Sequence, residues 1–286
     1  MSTKNIQINS LQSTREHILA LLLAAEGWCS GEALSRGLGM SRAAIAKHIA
    51  VLRDEGHEIE AAPRRGYHLL PGEAYTEATI RHDLHTRVIG QGKWLWLKET
   101  ASTNQEAAAL AASGAPDGSI VVADRQRAGR GRRGREWFTS PGSLAFSVLL
   151  RAPRDRGAVP GGPGTGSLPP DLKAEAVPDF LLMLLAAVGE AVRQTTGVKV
   201  QVKKPNDLLI NGRKCCGVLV ETGTEVDEVT WLILGVGLNV NALEADFPPI
   251  LRESVTSLRL ATGTHVNRAA LLQAILRALD AALPHK

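Results

Sequence analysis

The chain has 286 residues, 44% of them hydrophobic and 22% charged, a balance that excludes a disordered protein and leaves room for two ordinary domains. No apolar run approaches the ~20 residues that cross a bilayer, and Met1 to Leu11 carries Lys4 and polar residues instead of the apolar core of an export signal, so the sequence predicts a cytoplasmic protein without membrane contact. The formal charge of +4 is too small to attract nucleic acid through the field of the whole chain, and any such affinity must come from local clusters.

The chain opens on helical periodicity. Ile18, Leu19, Leu22 and Leu23 recur on one face between Ser13 and Glu26, and Gly27 stops the pattern. Ser30 caps a short helix carrying Ala33 and Leu34 that ends at Gly37 to Gly39; Ser41 caps another, with Ile45, Ile49 and Leu52 inward. Two short helices joined through a glycine turn predict a helix-turn-helix. Glu58 to Ala61 and Tyr67 to Leu69 read as strands joined by Pro63, Arg64, Arg65 and Gly66, a basic wing. In a winged head the second short helix enters the major groove while hairpin arginines meet phosphates, which makes Arg42, Ala43, Ala44, Lys47, His48, Arg64 and Arg65 the candidate DNA contacts. A small helical domain that binds protein is the competing reading. The head is assigned to residues 1–72.

A polar connection from Pro71 to Lys93 leads into a second domain, 73–286, in which strands and helices alternate. Trp94 to Lys98 is strand-like and hands over at Ser102, Thr103 and Asn104 to an alanine-rich helix reaching about Ala112. Hydroxyls there can cap the helix or bind a ligand's carbonyl or carboxylate. Between the strand-like runs Ser119 to Ala123 and Leu144 to Leu150 lies GRGRRGR, Gly129 to Arg135. Glycine lets backbone N–H groups approach a ligand, and arginine forks match phosphate and carboxylate oxygens. A solvated basic loop is the plain alternative. The segment also spells GxGxxG, but Trp137, Phe138, Ser140, Pro141 and Gly142 read as loop, so no helix follows and the dinucleotide reading is rejected.

Arg151 to Pro178 is rich in Pro and Gly, a flexible insertion over 152–178. Phe180 to Thr195 is a buried helix. Val198, Val200 and Val202 alternate as a strand ending at Lys203, a point charge at a strand end suited to a phosphate, although most lysines are simply solvated. Asn211–Gly212 marks a hairpin into the strand Gly217 to Glu221; Thr230 to Leu234 is a further strand, closing in Gly235 to Asn239, where glycines let a bulky ring lie against backbone. A last helical pattern after Asn267 runs to Leu283. Cys29, Cys215 and Cys216 have neither disulfide nor zinc spacing, and no metal ligands are predicted.

Taken in order, GMSRAAIAKHI at 39–49, STN at 102–104, QRAGRGRRGREW at 126–137, KKPNDL at 203–208, GVLVE at 217–221 and GVGLNV at 235–240 resemble the family of bifunctional biotin protein ligases and biotin operon repressors. The resemblance covers most of the chain. It implies an α+β fold in which a winged helix-turn-helix precedes a class II aminoacyl-tRNA synthetase-like (biotin/lipoate ligase) catalytic domain with a mixed sheet. It implies ATP-dependent formation of biotinyl-5′-AMP with Mg2+, transfer of biotin to a lysine of the biotin carboxyl carrier protein of acetyl-CoA carboxylase, and repression of biotin synthesis genes at operator DNA by a ligand-induced homodimer with biotinyl-AMP as corepressor. By the same resemblance, Ser102, Thr103, Asn104, Gln126, Arg130, Gly131, Arg132, Lys203, Gly217, Gly235 and Gly237 address biotin. Gly129, Arg132, Arg133, Trp137, Asn206 and Asn239 address the nucleotide, and Arg130, Arg132 and Lys203 stabilise charge in the reaction.

Three features depart from the family pattern. Lys204 stands where the family usually has tryptophan; the 152–178 segment is inserted; and the chain stops at Lys286, where relatives continue into an SH3-like barrel, so that domain is expected to be missing and ATP handling to be weaker. A biotin-sensing transcription factor with little or no turnover is therefore the rival reading, and a lipoate or octanoate ligase a more distant one.

Overall fold

The computed structural model describes residues 14–284 apart from 16, 23, 26, 55, 71–74, 83, 154–165 and 226. The chain forms two compact units, Met1–Thr79 and Ile80–Lys286. The first helix's expected limits at Ser13 and Glu26, its Leu23, the stretch Met1 to Leu11, residues 154–165 of the expected insertion and the terminal Lys286 lie outside the described residues.

In the first unit residues 14–15, 17–22 and 24 are helical (α1), followed by β1 (Trp28–Cys29), α2 (Gly31–Leu38), α3 (Arg42–Asp54), β2 (Ile59–Ala62) and β3 (Gly66–Leu69). The serines cap as their positions predict: Ala33 N–H donates to Ser30 Oγ at 3.0 Å and Ala44 N–H to Ser41 Oγ at 3.2 Å, each satisfying a helix-end donor. Gly39 ends α2 in the left-handed conformation at φ 63°. Ile18, Leu22, Leu34, Ile45, Ile49, Leu52 and Ile59 form one core. The wing is antiparallel, Ala62 opposite Gly66, and β3 also pairs with β1 to give the order β1-β3-β2.

The connection expected over 71–93 contains α4 (Glu77–His82) and buries Ile80, Leu84 and Ile89. It is tied down by a distant carboxylate: the N–H groups of Arg87, Val88 and Ile89 each donate to Asp280 at 2.9 Å.

The second unit is built on a seven-stranded sheet in the order β4-β5-β8-β12-β11-β10-β9, from β4 (Trp94–Thr100), β5 (Ser119–Gln126), β8 (Leu144–Arg151), β9 (Gln201–Lys203), β10 (Asp207–Ile210), β11 (Arg213–Glu225) and β12 (Glu228–Leu238). Only β4–β5 is parallel, because α5 (Thr103–Ala112) carries the chain back between them. The small hairpin β6 (Gly129–Arg130) and β7 (Glu136–Trp137) follows β5. α5 packs Ala107, Leu110 and Ala111 on Val121, Leu149 and Ile233 of one sheet face. On the other face, α6 (Val177–Thr196) brings Gly189 against Leu208 and packs with α8 (Arg268–Ala282); α7 (Leu258–Thr262) lies between these helices in sequence.

Two expectations are corrected here. Residues 166–178 are not a flexible insertion: Leu168 and Leu172 are buried, Leu168 N–H bonds the Arg151 carbonyl at 3.0 Å and Ser167 donates to Asp117 at 3.0 Å, and α6 begins at Val177. Of the alternating valines only Val202 lies in a strand; Gly197 ends α6 left-handed at φ 73°, and Val200 faces Gly189 of that helix, so its apolar character reflects helix packing. Among the described residues no helix is long and apolar enough to cross a membrane.

Candidate active site

The sheet register lays out a floor. Directly opposed residues share a face, and Val121–Ser147–Gly235–Leu219 and Ala123–Ala145–Gly237–Gly217–Asp207–Lys203 are two neighbouring rows on the α5 side. Where three glycines interrupt these rows, a cleft opens. The glycines make room for side chains. A Cβ on Gly235 would lie 1.9 Å from Asn104 Oδ1, one on Gly237 2.4 Å from the Trp137 indole, and one on Gly217 3.0 Å from Lys214 Nζ.

One wall is the N-terminus of α5, where Ser102, Thr103 and Asn104 are all buried. Ser102 makes no side-chain cap bond. Gln126, arriving from β5, takes that role: Thr103 N–H and Oγ1–H donate to Gln126 Oε1 at 2.8 and 3.1 Å. Asn104 donates from Nδ2 to Glu221 Oε2 at 2.9 Å and accepts at Oδ1 from Ser147 Oγ–H at 2.7 Å. Satisfied buried polar networks hold one geometry, so α5 presents a fixed set of uncharged donors and acceptors to the cleft.

The roof is the arginine hairpin. Gly129 opposes Trp137 and Arg130 opposes Glu136; the tip is a 3-10 turn over Arg132–Gly134, with Arg133 left-handed at φ 56°. Among the described residues Arg130, Arg132 and Arg133 have no carboxylate partner, so these forks are available to an anion. Trp137 reaches down from β7 onto the glycine floor, its Nε1 buried without an acceptor among the described residues.

Of the sequence-predicted residues, Ser102, Thr103, Asn104, Gln126, Arg130, Gly131, Arg132, Trp137, Asn206, Gly217, Gly235 and Gly237 line this one cleft. Four do not. A Cβ on Gly129 would meet the Trp137 carbonyl at 2.5 Å, so that glycine serves the hairpin's own closure. Arg133 projects from the exposed tip and lines the hairpin's other side. Asn239 is buried and donates to the Thr256 carbonyl at 3.0 Å. Lys203 is exposed on edge strand β9, on the floor row but two strands, roughly 10 Å, from Gly217.

Sequence reasoning missed Arg135, Glu136, Val218, Leu219, Val236 and Lys214, which also line the cleft. Lys214 sits in no recognisable motif, and only the register brings it beside Gly217. The cysteines are packing residues: burial pushes the Cys215 thiol up to about 12 and raises that of Cys216 well above the ordinary value, so neither is a nucleophile.

In the head, Arg42, Ala43 and Lys47 are exposed on α3, with Ala44 and His48 half-buried. Arg42 reaches back to Glu32 of α2 at 3.2 Å. Arg64 turns the wing tip at φ 65°, and the guanidinium of Arg65, in the same turn, lies 4.3 Å from the centre of the Trp28 ring, which tethers it to β1.

Residues 14–68 match the HTH domain family, and residues 96–159 and 168–239 match the biotin/lipoate A/B protein ligase family. The bifunctional ligase/repressor BirA of Bacillus subtilis (strain 168) is 38% identical over 271 residues, spanning 93% of this chain and 77% of that one. The chain belongs to the BirA family. The BirA of Escherichia coli (strain K12) is 32% identical over 93% of this chain and 75% of its own length. Among solved structures, a biotin protein ligase from Aquifex aeolicus in complex with biotin and ATP matches 66% of this chain and 69% of its own, with a TM-score of 0.51 and 30% identity. Membership of the BirA family accounts for both units, a helix-turn-helix head and a ligase body, in one chain.

Proposed function

We propose that this chain is a biotin protein ligase that also represses transcription. The observation that carries the reading is the cleft in which an uncharged hydrogen-bonding wall faces an arginine roof across a glycine floor. A ureido ring offers one acceptor and two donors, which Ser102, Thr103, Asn104 and Gln126 can meet, while Arg130 and Arg132 face the carboxylate and the nucleotide's phosphates. Trp137 supplies an aromatic surface for the adenine, and Asn206 borders the nucleotide side. Gly129, Arg133 and Asn239 act on the nucleotide through the hairpin and the strand ends. Lys203 reaches along its row from the sheet edge when ligand is bound.

In the first step a carboxylate oxygen of biotin bonds to the α-phosphorus of ATP, and the bond to the bridging oxygen breaks with its electron pair leaving on pyrophosphate. In the second, a lysine amine of the biotin carboxyl carrier protein bonds to the acyl carbon, AMP leaves with the C–O electron pair, and the amine gives up a proton to water. Substrates supply both nucleophiles, so the protein's task is placement and charge stabilisation. Mg2+ enters on the triphosphate, as this ion commonly does.

The head reads DNA through α3 and the wing, with Arg42, Ala43, Ala44, Lys47 and His48 toward bases and Arg64 and Arg65 toward phosphates. Biotinyl-AMP acts as corepressor by favouring a homodimer, which sets two heads on a two-fold operator. The setting is the cytoplasm. The exposed position of Lys203 favours the rival reading of a biotin sensor with little turnover. Mass spectrometry of a biotin carrier domain incubated with this protein, biotin and Mg-ATP separates them. A gain of one biotinyl group is the expected result; tight biotin binding without any gain supports the sensor and contradicts the ligase.

A further inference from the structure

The uncharged wall of the cleft has a polarity, set by which of its groups can only accept a hydrogen bond. Ser147, Thr103 and Asn104 are all buried in that wall. Ser147 Oγ–H reaches two acceptors, Asn104 Oδ1 at 2.7 Å and Thr103 Oγ1 at 2.8 Å. With one hydrogen for two acceptors, the hydroxyl can turn to either and receive a bond on its own oxygen. Ser147 therefore adapts to its neighbours.

Glu221 cannot adapt. Its carboxylate has acceptors only, and Oε2 accepts from Asn104 Nδ2 at 2.9 Å. Nδ2 also donates to the Leu219 carbonyl at a longer 3.5 Å. The donors of the amide are thus committed to β11, and Oδ1 sits over the floor, where a Cβ on Gly235 would stand 1.9 Å from it. Asn104 and Gly235 line the cleft, whereas Glu221 does not; it reaches Asn104 from the groove on the hairpin's other side. Oδ1 accepts one bond from Ser147 and has a second lone pair to offer.

We propose that Glu221 is a positioning residue for ring specificity: as an acceptor-only partner behind the wall, it turns the Asn104 amide so that oxygen, not nitrogen, faces the bound ring. The site thereby selects a ring that bears N–H, as a cyclic urea does, over one that offers only acceptors. A ring N–H completes the second lone pair of Oδ1. A ring oxygen in the same place would face another oxygen, and a site built to pair an N–H strongly rejects an isostere lacking it, because the buried partner is left unpaired. The inference rests on the ligase reading, which makes biotin the cyclic urea, and the experiment is chosen so that the two fail separately.

The test uses the full chain and its variants Glu221→Gln, Glu221→Asp and Ser147→Ala. Calorimetric titration measures binding of biotin and of the two cyclic carbamates in which one ring N–H or the other is replaced by oxygen. The parent is expected to bind biotin on the order of 100-fold or more tighter than one of these carbamates. A Gln side chain donates as well as accepts, so in Glu221→Gln the Asn104 amide can turn over while Ser147 redirects its hydrogen to Thr103. That variant keeps biotin affinity within about threefold and binds the disfavoured carbamate better, narrowing the ratio by about tenfold or more. Glu221→Asp, still acceptor-only, and Ser147→Ala, with Glu221 intact, bind both ligands less tightly but hold the ratio. A ratio between two ligands on one variant does not move with general loss of structure. An unchanged ratio in Glu221→Gln, equal narrowing in Ser147→Ala, or loss of all three ligands by Glu221→Gln each overturns the proposal. Parent affinities for biotin and both carbamates within about threefold of one another overturn it too. Absence of biotin binding by the parent overturns the ligase reading instead.

Discussion

The indole of Trp137 is seated on Gly237, where a Cβ would stand 2.4 Å from the ring. A hairpin 100 residues upstream is thereby anchored to the middle of the sheet, and one face of the cleft is shaped by a tryptophan that only a side-chain-free position can receive. Gly237→Ala is expected to unseat the indole and shift the hairpin, lowering biotinyl-adenylate formation on the order of 100-fold, the scale of a small misplacement of catalytic groups. Tryptophan fluorescence and pyrophosphate exchange check the two halves of this expectation; unchanged exchange would show that the seat is not required.

Asn104 joins Glu221 and Ser147 in one network. Asn104→Ala leaves Ser147 and Glu221 without that partner and removes a group facing the ligand, so biotin binding should weaken by about 1–3 kcal/mol, roughly 5- to 150-fold. Titration calorimetry measures it directly. The two-strand register makes Gly235→Ala an independent check, because its methyl would enter the space of Asn104 Oδ1.

Arg64 and Arg65 form the exposed wing tip. If they meet phosphates, the double Ala variant should weaken binding to duplex DNA uniformly across sequences and reduce the slope of log K against log salt by about 2. Fluorescence anisotropy over a salt series gives the slope. An unchanged slope would remove the wing from the DNA interface.

Asp117 Oδ1 accepts from Gly118 N–H, Arg151 N–H and Ser167 Oγ–H at 3.1, 2.9 and 3.0 Å. Burial raises its carboxyl above the ordinary value, and these three bonds oppose that shift only in part. The folded state thus favours the protonated acid relative to the unfolded chain: that contribution is complete below the unfolded pKa and is lost as pH rises through the raised folded one. Above that raised value the wild type carries the cost of a desolvated charge. Asp117→Asn keeps the accepting oxygen and removes the charge, so its melting temperature should exceed the parent's above the raised value, with the difference shrinking as pH falls from there to the ordinary aspartate value and gone below it. Thermal melts at several pH values decide it.

Local signals made much of this legible. Ser30 and Ser41 cap the helices their positions announce, Asn211 and Gly212 turn β10 into β11 with positive φ, and the STN triplet stands at the head of α5. What stayed hidden depends on partners distant in sequence. Pro and Gly around Leu168 suggest flexibility, but the segment is fastened to Asp117, 50 residues earlier. Lys203 looks aimed at a cleft because it ends a strand, whereas the register puts the glycine floor two strands away. Lys214 carries no local sign of its position; it lines the cleft only because β11 pairs with β12 and the 254–256 segment braces its backbone.

The most direct measurement of the central claim, that this cleft activates biotin through its carboxylate, is ATP–pyrophosphate exchange by the intact chain with and without biotin. The account predicts exchange that requires biotin and falls sharply when Arg130 and Arg132 are both replaced by Ala. Biotin bound tightly in the presence of Mg-ATP with no exchange above background would contradict it.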